Sequence, residues 1–288
     1  MEFEIITQKE PCQEIFIYNC FDIIYHDTSY LFVKDGADEF KIPLHIEKGT
    51  AFLGVYLKDF PRPVLEGACH YLFKSNRKVK RVSLKNTLTC FKDHLQPEEH
   101  WRVELPGTVE ELLQRVTQKS AYNMRRSERK LRELGEVEFV HLPRKDITED
   151  IVTPYFKFKK DSYGTNYGLR WDEYLRKYFV TDAYILKVDS QVAAIAFTCE
   201  QCSDVFLENI SFDPQYSKYS AGIQVYTYCL RELIRSHKHQ LCLGIGTHEY
   251  KKRFGSISEE VYSGSVYRNQ CCHIAFSVQA RLKAMLAK

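Results

Sequence analysis

Hydrophobic and polar positions alternate in short runs over the first part of the chain, which is typical of an antiparallel sheet. These runs lie within residues 14–57 and are separated by turn residues such as Asp35-Gly36. A short helix is predicted from Leu65 to Phe73, where the apolar residues cluster without alternating. Further strands are predicted at Arg81–Leu84, Thr87–Phe91 and Trp101–Leu105.

Past Pro106-Gly107 the pattern changes to helical spacing. Thr108 with Glu111 three residues later has the capping-box pattern of a helix start. Further helices are predicted at Asp146–Lys160, Trp171–Phe179, Ser220–Arg235 and His273–Lys288, and strands at Tyr184–Val188, Gln191–Cys199, Asp204–Phe212, Leu241–Gly244 and Glu259–Tyr267. The order predicts an α/β (α+β) fold: a mixed, mostly antiparallel sheet flanked by helices. We place a domain boundary near Pro106, giving domains 1–106 and 107–288.

Composition agrees with an ordinary globular protein, since 44% of its 288 residues are hydrophobic and 27% are charged. A net charge of +3 does not by itself indicate nucleic-acid binding. The N-terminus lacks a signal-peptide pattern and no apolar run reaches membrane-spanning length, so we expect a cytoplasmic protein without membrane insertion. The Cys199/Cys202 pair has no matching second pair, and no metal site is predicted.

Leu243–Gly255 is the segment richest in candidate chemistry, because it combines glycines, a cation cluster and aromatic residues directly after a strand. A loop of this kind usually handles an anion or a polar substrate. Upstream, Ser220-Ala221-Gly222 opens an apolar helix. Free backbone N–H groups at such a helix start favour a phosphate, so a cofactor bearing pyrophosphate would fit there.

Together these segments resemble the GNAT acyltransferases, in particular the branch named after the CelD/BcsL proteins and related to the FemAB peptidyltransferases. Residues 108–135 are similar to its Arg-rich helix and residues 184–212 to its hairpin core. Residues 216–222 resemble its Tyr-x-x-Tyr-Ser-x-Gly turn, and residues 243–255 its Gly-x-Gly-x-x-x-Tyr-Lys-x-x-Phe-Gly segment. The resemblance implies two GNAT-like halves, the first a degenerate copy, with catalysis in the second.

The resemblance also implies an acyl-CoA co-substrate, such as acetyl-CoA, held where two strands splay apart at the end of the strand 204–212. The predicted donor-binding residues are Ser220, Ala221, Gly222, Ile210 and Phe212. The classical pyrophosphate signature is matched only loosely by residues 216–222.

Three residues are candidates for catalysis. Lys251, in the intact Tyr-Lys-x-x-Phe-Gly pattern, could stabilise the oxyanion of acyl transfer; the alternative is a solvated cation run, Lys251-Lys252-Arg253. Glu208 could face the cleft as a general base, or face solvent on an alternating strand. His248 is the alternative base, because its ordinary pKa suits proton transfer near neutrality; a loop histidine can also be merely solvated.

The acceptor is expected to contact two groups of residues. Tyr122, Arg125 and Arg129 share one face of the basic helix, which could bind a phosphate-rich acceptor or carrier or could simply be a solvated surface. Tyr163, Asn166 and Tyr250 are the predicted acceptor-binding residues of the loops.

The sequence thus predicts an N-acyltransferase that moves an acyl group from acyl-CoA to an amine of a small molecule or sugar conjugate. Aminoacyl-tRNA-dependent transfer, as in the Fem proteins, is the nearest alternative, and tRNA is the only nucleic acid considered as a partner. A third interpretation is a non-catalytic binding module that kept the fold.

Overall fold

The computed structural model describes residues 1–8, 28–55, 59–90, 92, 95–201, 204–246 and 249–286. The chain divides into two compact units, Met1–Glu99 with Glu259–Lys288, and His100–Ser258. The segment 259–288, which the sequence assigns to a C-terminal domain, therefore belongs to the first unit. Within the described part, no helix is both long and apolar enough to span a membrane.

Strands and helices form at the following ranges of the described residues. The strands are β1 (Glu2–Gln8), β2 (Thr28–Asp35), β3 (Asp38–Glu47), β4 (Thr50–Leu53), β5 (Arg81–Thr87), β6 (Gln96–Glu104), β7 (Val137–Pro143), β8 (Asp182–Val188), β9 (Gln191–Gln201), β10 (Asp204–Phe212), β11 (Gln240–Ile245) and β12 (Ile257–Tyr267). The helices are α1 (Arg62–Ser75), α2 (Val109–Gln114), α3 (Gln118–Arg132), α4 (Glu149–Tyr163), α5 (Trp171–Lys177), α6 (Ala221–Arg235) and α7 (Gln270–Leu286).

In the first unit the strand order is β1-β2-β3-β4-β5-β12. Neighbours are antiparallel except β4 and β5, which run parallel from the pair Thr50/Arg81. Helix α1 connects these two strands and buries Val64, Leu65 and Leu72 completely. These side chains join the apolar faces of β2, β3 and β5 in one core.

In the second unit the order is β6-β11-β10-β9-β8-β7. Only β10 and β11 are parallel. Asp189 and Ser190 both have positive φ in the tight turn between β8 and β9, the conformation that a two-residue type I′ hairpin requires. The Asp189 carboxylate accepts a hydrogen bond from the Glu136 amide at 2.8 Å, which ties the start of β7 to this turn.

Helices cover both faces of the sheet in this unit, because residues of β9 alternate between two cores. Ala194 and Ala196 pack with α6 and with α2 and α3. Ile195 and Phe197 pack with α4 and α5 on the opposite face. The period of two along a strand explains why β9 has no polar face and is buried from Ala193 to Cys199.

The predicted fold class is confirmed, and so are most elements of the second unit. Residues 108–135, however, form two helices instead of one. The Thr117 side chain accepts a hydrogen bond from the Ser120 amide at 3.2 Å and starts α3 as its N-cap. The pieces predicted at Arg81–Leu84 and Thr87–Phe91 are one strand ending at Thr87. The predicted strand Ile15–Ile17 lies outside the described residues.

We expect Leu230→Ala to destabilise the protein strongly, since Leu230 is fully buried on α6 in the core of the second unit. Removing a buried leucine side chain typically costs about 2–5 kcal/mol. Urea unfolding measures this loss. Arg235→Ala, at an exposed position of the same helix, is the control and should cost no more than about 1 kcal/mol; equal losses would contradict this packing.

Candidate functional site

Strands β10 and β11 separate part-way along their length. Their parallel pairing is confined to Asp204/Gln240, Val205/Leu241 and Phe206/Cys242, whereas β10 continues to Phe212 alongside β9. Beyond Phe206 the edge of β10 that faced β11 no longer has that partner. A wedge between parallel strands, with backbone groups along one side, is therefore present where the sequence predicted a splay.

A β-bulge lies immediately beyond this point. Leu207 pairs with Thr198 and Asn209 with Phe197, so Glu208 is an extra residue in β10. A bulge breaks the strict alternation of side chains along a strand and re-aims them locally. Glu208 and Asn209, although consecutive, consequently both line the same cavity.

That cavity has a volume of about 660 Å³, within the range of small-molecule sites. Its walls come from the bulged part of β10, the end of α4 with the following loop, the start of α6, and the loop after β11. The lining residues are Lys159, Tyr163, Thr165, Tyr167, Leu207, Glu208, Asn209, Ile210, Phe212, Ser217, Ser220, Gly222, Ile223, Leu243 and Tyr250.

The start of α6 forms one end of this cavity. Ser220 adopts a left-handed conformation with φ of 55°, and its carbonyl accepts hydrogen bonds from the amides of Ile223 and Gln224. The Ser220 amide itself donates to the Ser217 carbonyl. Gly222 lines the cavity at this helix start, so its amide is placed for a ligand, and the helix dipole favours an anion there.

Gly222 lets this turn approach β10 closely. A Cβ at this position would lie 2.9 Å from Cδ1 of Phe212, which is closer than real Cβ contacts. The cavity wall therefore contains four of the predicted donor-binding residues, namely Ile210, Phe212, Ser220 and Gly222. The fifth, Ala221, is fully buried against the core. Their role in donor binding remains a prediction.

Lys159 lines the cavity and is not among the site residues that the sequence predicted. Its side chain is only 8% exposed, and Nζ donates to Oδ1 of Asn209 at 2.6 Å. Burial lowers the pKa of Lys159 to about 8, and the nearby Glu208 charge opposes this shift. A signal was present in the sequence, because Lys159 continues the buried stripe of Val152 and Tyr155 at helical spacing.

Three tyrosines extend from the cavity into the core. The Tyr174 hydroxyl donates to the Tyr155 hydroxyl at 2.9 Å, and the hydroxyls of Tyr155 and Tyr167 are 3.1 Å apart. Burial raises the pKa of each of these groups, so they stay protonated near neutral pH. The chain of hydroxyl groups holds the Tyr167 ring in the cavity wall.

The loop after β11 contributes Tyr250, while its neighbour Lys251 points elsewhere. Lys251 is 3% exposed and is not a lining residue. Its Nζ donates to the carbonyls of Gly244 at 3.1 Å and Ile245 at 2.5 Å. Gly244 and Gly246 in this turn have φ of 69° and 100°, a region that favours glycine. Lys251 thus ties together the backbone of the glycine turn that carries Tyr250.

Other predicted site residues lie apart from the cavity lining. Tyr122 is 58% exposed on α3, and Arg125 and Arg129 are exposed on the same helix. Asn166 accepts a hydrogen bond from the Gly168 amide within its own loop. His248 lies outside the described residues. Among those described, no group of three or more His, Cys, Asp or Glu side chains is placed to hold a metal ion.

Comparisons with known proteins agree with this arrangement. Residues 118–252, all within the second unit, match the family model described as the acetyltransferase (GNAT) domain. No match was found among curated proteins.

Solved structures share the fold over most of the chain. The C-terminal domain of a protein described as a lysylphosphatidylglycerol synthetase, from Agrobacterium fabrum, is 12% identical with a TM-score of 0.57, covering 96% of this chain and 92% of that one. FemX is 10% identical with a TM-score of 0.58, covering 91% and 97%. L-PGS from Bacillus licheniformis is 10% identical with a TM-score of 0.53, covering 88% of each chain. Residues 118–252 thus match a GNAT acetyltransferase domain, within a fold that the chain shares with these structures.

Lys251→Met should change how stability depends on pH. The pKa of Lys251 is lowered from its ordinary 10.5 to about 8 by burial, so between these values the unfolded chain binds more protons than the folded one. Wild-type stability relative to the variant should therefore rise with pH through this window, by at most ~1.4 kcal/mol per pH unit. Urea unfolding across that window measures it. Lys252→Met, at a half-exposed neighbour, is the control; a flat difference for Lys251→Met would refute the buried charge.

Proposed function

We propose that this protein is an N-acyltransferase that takes its acyl group from acyl-CoA, in the cytoplasm, and transfers it to an amine of a small molecule or sugar conjugate. The observation that carries the proposal is the coincidence of three features in one cavity of about 660 Å³: the strand wedge, the open α6 start and the bulged Glu208.

The wedge suits the donor's pantetheine arm. Beyond Phe206 the backbone of β10 has no pairing with β11, and the amide groups of pantetheine can hydrogen-bond to such a strand edge. The pyrophosphate would then reach the amide of Gly222 at the start of α6. With the pyrophosphate at α6 and the pantetheine along β10, the thioester lies near the bulge. The bulge is the part of β10 closest to the end of the pairing with β11.

Glu208 is proposed as the general base. Its carboxylate takes a proton from the acceptor amine, whose nitrogen attacks the thioester carbonyl carbon. A C–N bond forms, the C–S bond breaks, and the leaving thiolate takes a proton. Tyr250 is proposed to donate this proton because it lines the cavity, and its pKa, raised by burial to about 12, keeps the hydroxyl protonated until the thiolate forms.

Lys251 is proposed as a positioning residue in this scheme. Its ammonium is engaged by the Gly244 and Ile245 carbonyls, so it holds the turn on which Tyr250 is presented. Tyr163, which also lines the cavity, is proposed to contact the acceptor.

Aminoacyl-tRNA is the second candidate donor. The exposed cations of α3, including Arg125, Arg126 and Lys130, favour it, since such side chains bind phosphates and release counterions. RNA binding that weakens steeply with salt, together with indifference to acetyl-CoA, would support this donor over acyl-CoA.

Donor binding predicts a thermal shift that depends on charge at position 220. Acetyl-CoA at a hundred times its dissociation constant should stabilise the wild type by about 2.7 kcal/mol. Ser220→Asp should lose the shift, because a carboxylate at the helix start repels the pyrophosphate. Ser220→Asn is the matched neutral control, since Asn and Asp both tolerate the left-handed conformation. No shift in the wild type would exclude this donor.

Glu208→Gln should lower kcat by ~10²- to 10⁴-fold, the usual contribution of a general base. Thiol release from acetyl-CoA in a screen of amine acceptors measures the rate, and acetyl-CoA binding should be unchanged. Glu138→Gln removes a carboxylate that is 59% exposed on β7 and should leave kcat as it was. Full activity of Glu208→Gln would remove Glu208 from the mechanism.

A further inference from the structure

Lys159 is a buried cation in the wall of a ligand cavity. It projects from α4 and is 8% exposed, and its Nζ lies 4.9 Å from the centre of the Tyr163 ring and 5.8 Å from that of Tyr155. Its hydrogen-bond partner, Oδ1 of Asn209, is a neutral amide oxygen. Within the described part of the chain, Lys159 forms no ion pair at 4.0 Å or less.

A charge in this position is costly unless an anion compensates it. Taking an ammonium group out of water disfavours its charged form, which agrees with the lowered pKa of about 8. The group nevertheless remains mostly protonated near neutral pH. A carboxylate entering the cavity would replace water with a charge-assisted hydrogen bond, so the cavity is arranged to gain from an anionic ligand group.

The bulge in β10 brings an opposite charge beside this cation. Glu208 and Asn209 are consecutive and both line the cavity, and Asn209 receives the hydrogen bond from Lys159. The Glu208 carboxylate and the Lys159 ammonium therefore line the same cavity, because the ammonium is bound to the residue that follows Glu208 on β10. Such a pair of charges matches a ligand that carries an ammonium and a carboxylate on neighbouring atoms.

From this geometry we infer that the acceptor is a free α-amino acid, whose carboxylate is bound by Lys159 and whose amine faces Glu208. The inference rests on the proposed function of the same cavity and deepens it. The α-ammonium loses a proton to Glu208, the amine nitrogen forms a C–N bond with the acyl carbon, and the C–S bond of the thioester breaks. The nitrogen then loses its second proton, and the leaving thiolate takes up one proton and departs as the thiol of CoA. The carboxylate takes no part in the reaction; Lys159 binds and orients it.

The remaining walls indicate the side chain of this amino acid. Phe212, Tyr163, Tyr167 and Tyr250 line the cavity together with Leu207, Ile210 and Leu243. Aromatic and aliphatic walls favour an apolar or aromatic side chain. Phenylalanine, tyrosine and leucine are therefore the amino acids used in the test.

The test compares each amino acid with the amine that lacks only its carboxylate: L-phenylalanine with phenethylamine, L-tyrosine with tyramine, and L-leucine with 3-methylbutylamine. Titration calorimetry measures binding and thiol release from acetyl-CoA measures transfer. The wild type should prefer an amino acid by about ten- to a hundredfold, as expected for a hydrogen bond between charged groups. Lys159→Met should lose this preference, and Lys157→Met, on an exposed position of the same helix, should keep it.

Each result distinguishes this inference from the proposed function. Equal binding and transfer for the amines without carboxylate would overturn the inference while leaving an acyl-CoA-dependent transferase. Carboxylate-dependent binding without any effect of acetyl-CoA would support the inference and reject the donor. Absence of binding by all three amino acids to a protein that binds acetyl-CoA would also overturn it. The preference is measured on the wild type, so a poorly folded Lys159→Met does not remove the test.

Discussion

The parting of β10 from β11 is the constraint on which the site depends. Pairing through Val205/Leu241 fixes the two strands in the sheet, and both core faces are closed by helices up to that level. Where the pairing stops, the backbone of β10 loses one set of partners and must find others. The cavity, the wedge and the start of α6 all lie along the part of β10 that is not paired with β11.

Two buried lysines near this site, Lys251 and Lys159, have different contacts. The ammonium of Lys251 donates hydrogen bonds to backbone carbonyls and holds the glycine turn in place. The ammonium of Lys159 donates one hydrogen bond to Asn209, and its charge lies beside the cavity. Both groups have a pKa lowered to about 8 by burial, and for Lys159 the neighbouring Glu208 charge partly opposes that shift. The ammonium of Lys251 thus lies among backbone carbonyls, whereas Lys159 lies in the wall of the cavity.

Local signals in the sequence predicted much of the second unit. The apolar runs within residues 184–212, separated by the turn residues Asp189-Ser190, were sufficient to define β8, β9 and β10, because hairpin pairing is set by neighbours in the chain. The small residues from Ser220 to Gly222 similarly marked the start of α6. Seven of the predicted site residues line the cavity, namely Glu208, Ile210, Phe212, Ser220, Gly222, Tyr163 and Tyr250.

What the sequence did not reveal depends on contacts between distant segments. The position of Lys159 in the cavity follows from the packing of α4 against β10, and the orientation of Lys251 follows from the path of the glycine turn. Helical spacing indicates the face of α4 on which Lys159 lies, but it does not indicate that this face meets β10. The grouping of residues 259–288 with the first unit also results from strand pairing across a long stretch of sequence, since β12 pairs with β5. Composition and periodicity carry no information on such pairings.

The single extra residue in β10 has a consequence for how this site can change. On either side of Glu208 the ladder with β9 is regular, so the direction of the carboxylate is set by the number of residues in the strand as well as by their identity. Loss of one residue between Leu207 and Asn209 would restore an unbroken ladder without any change in the core. The same sheet would then remain, but the cavity would lose its acidic group, and the side chains next to it in β10 would return to alternate faces. The chemistry of the cavity therefore depends on the number of residues in this strand.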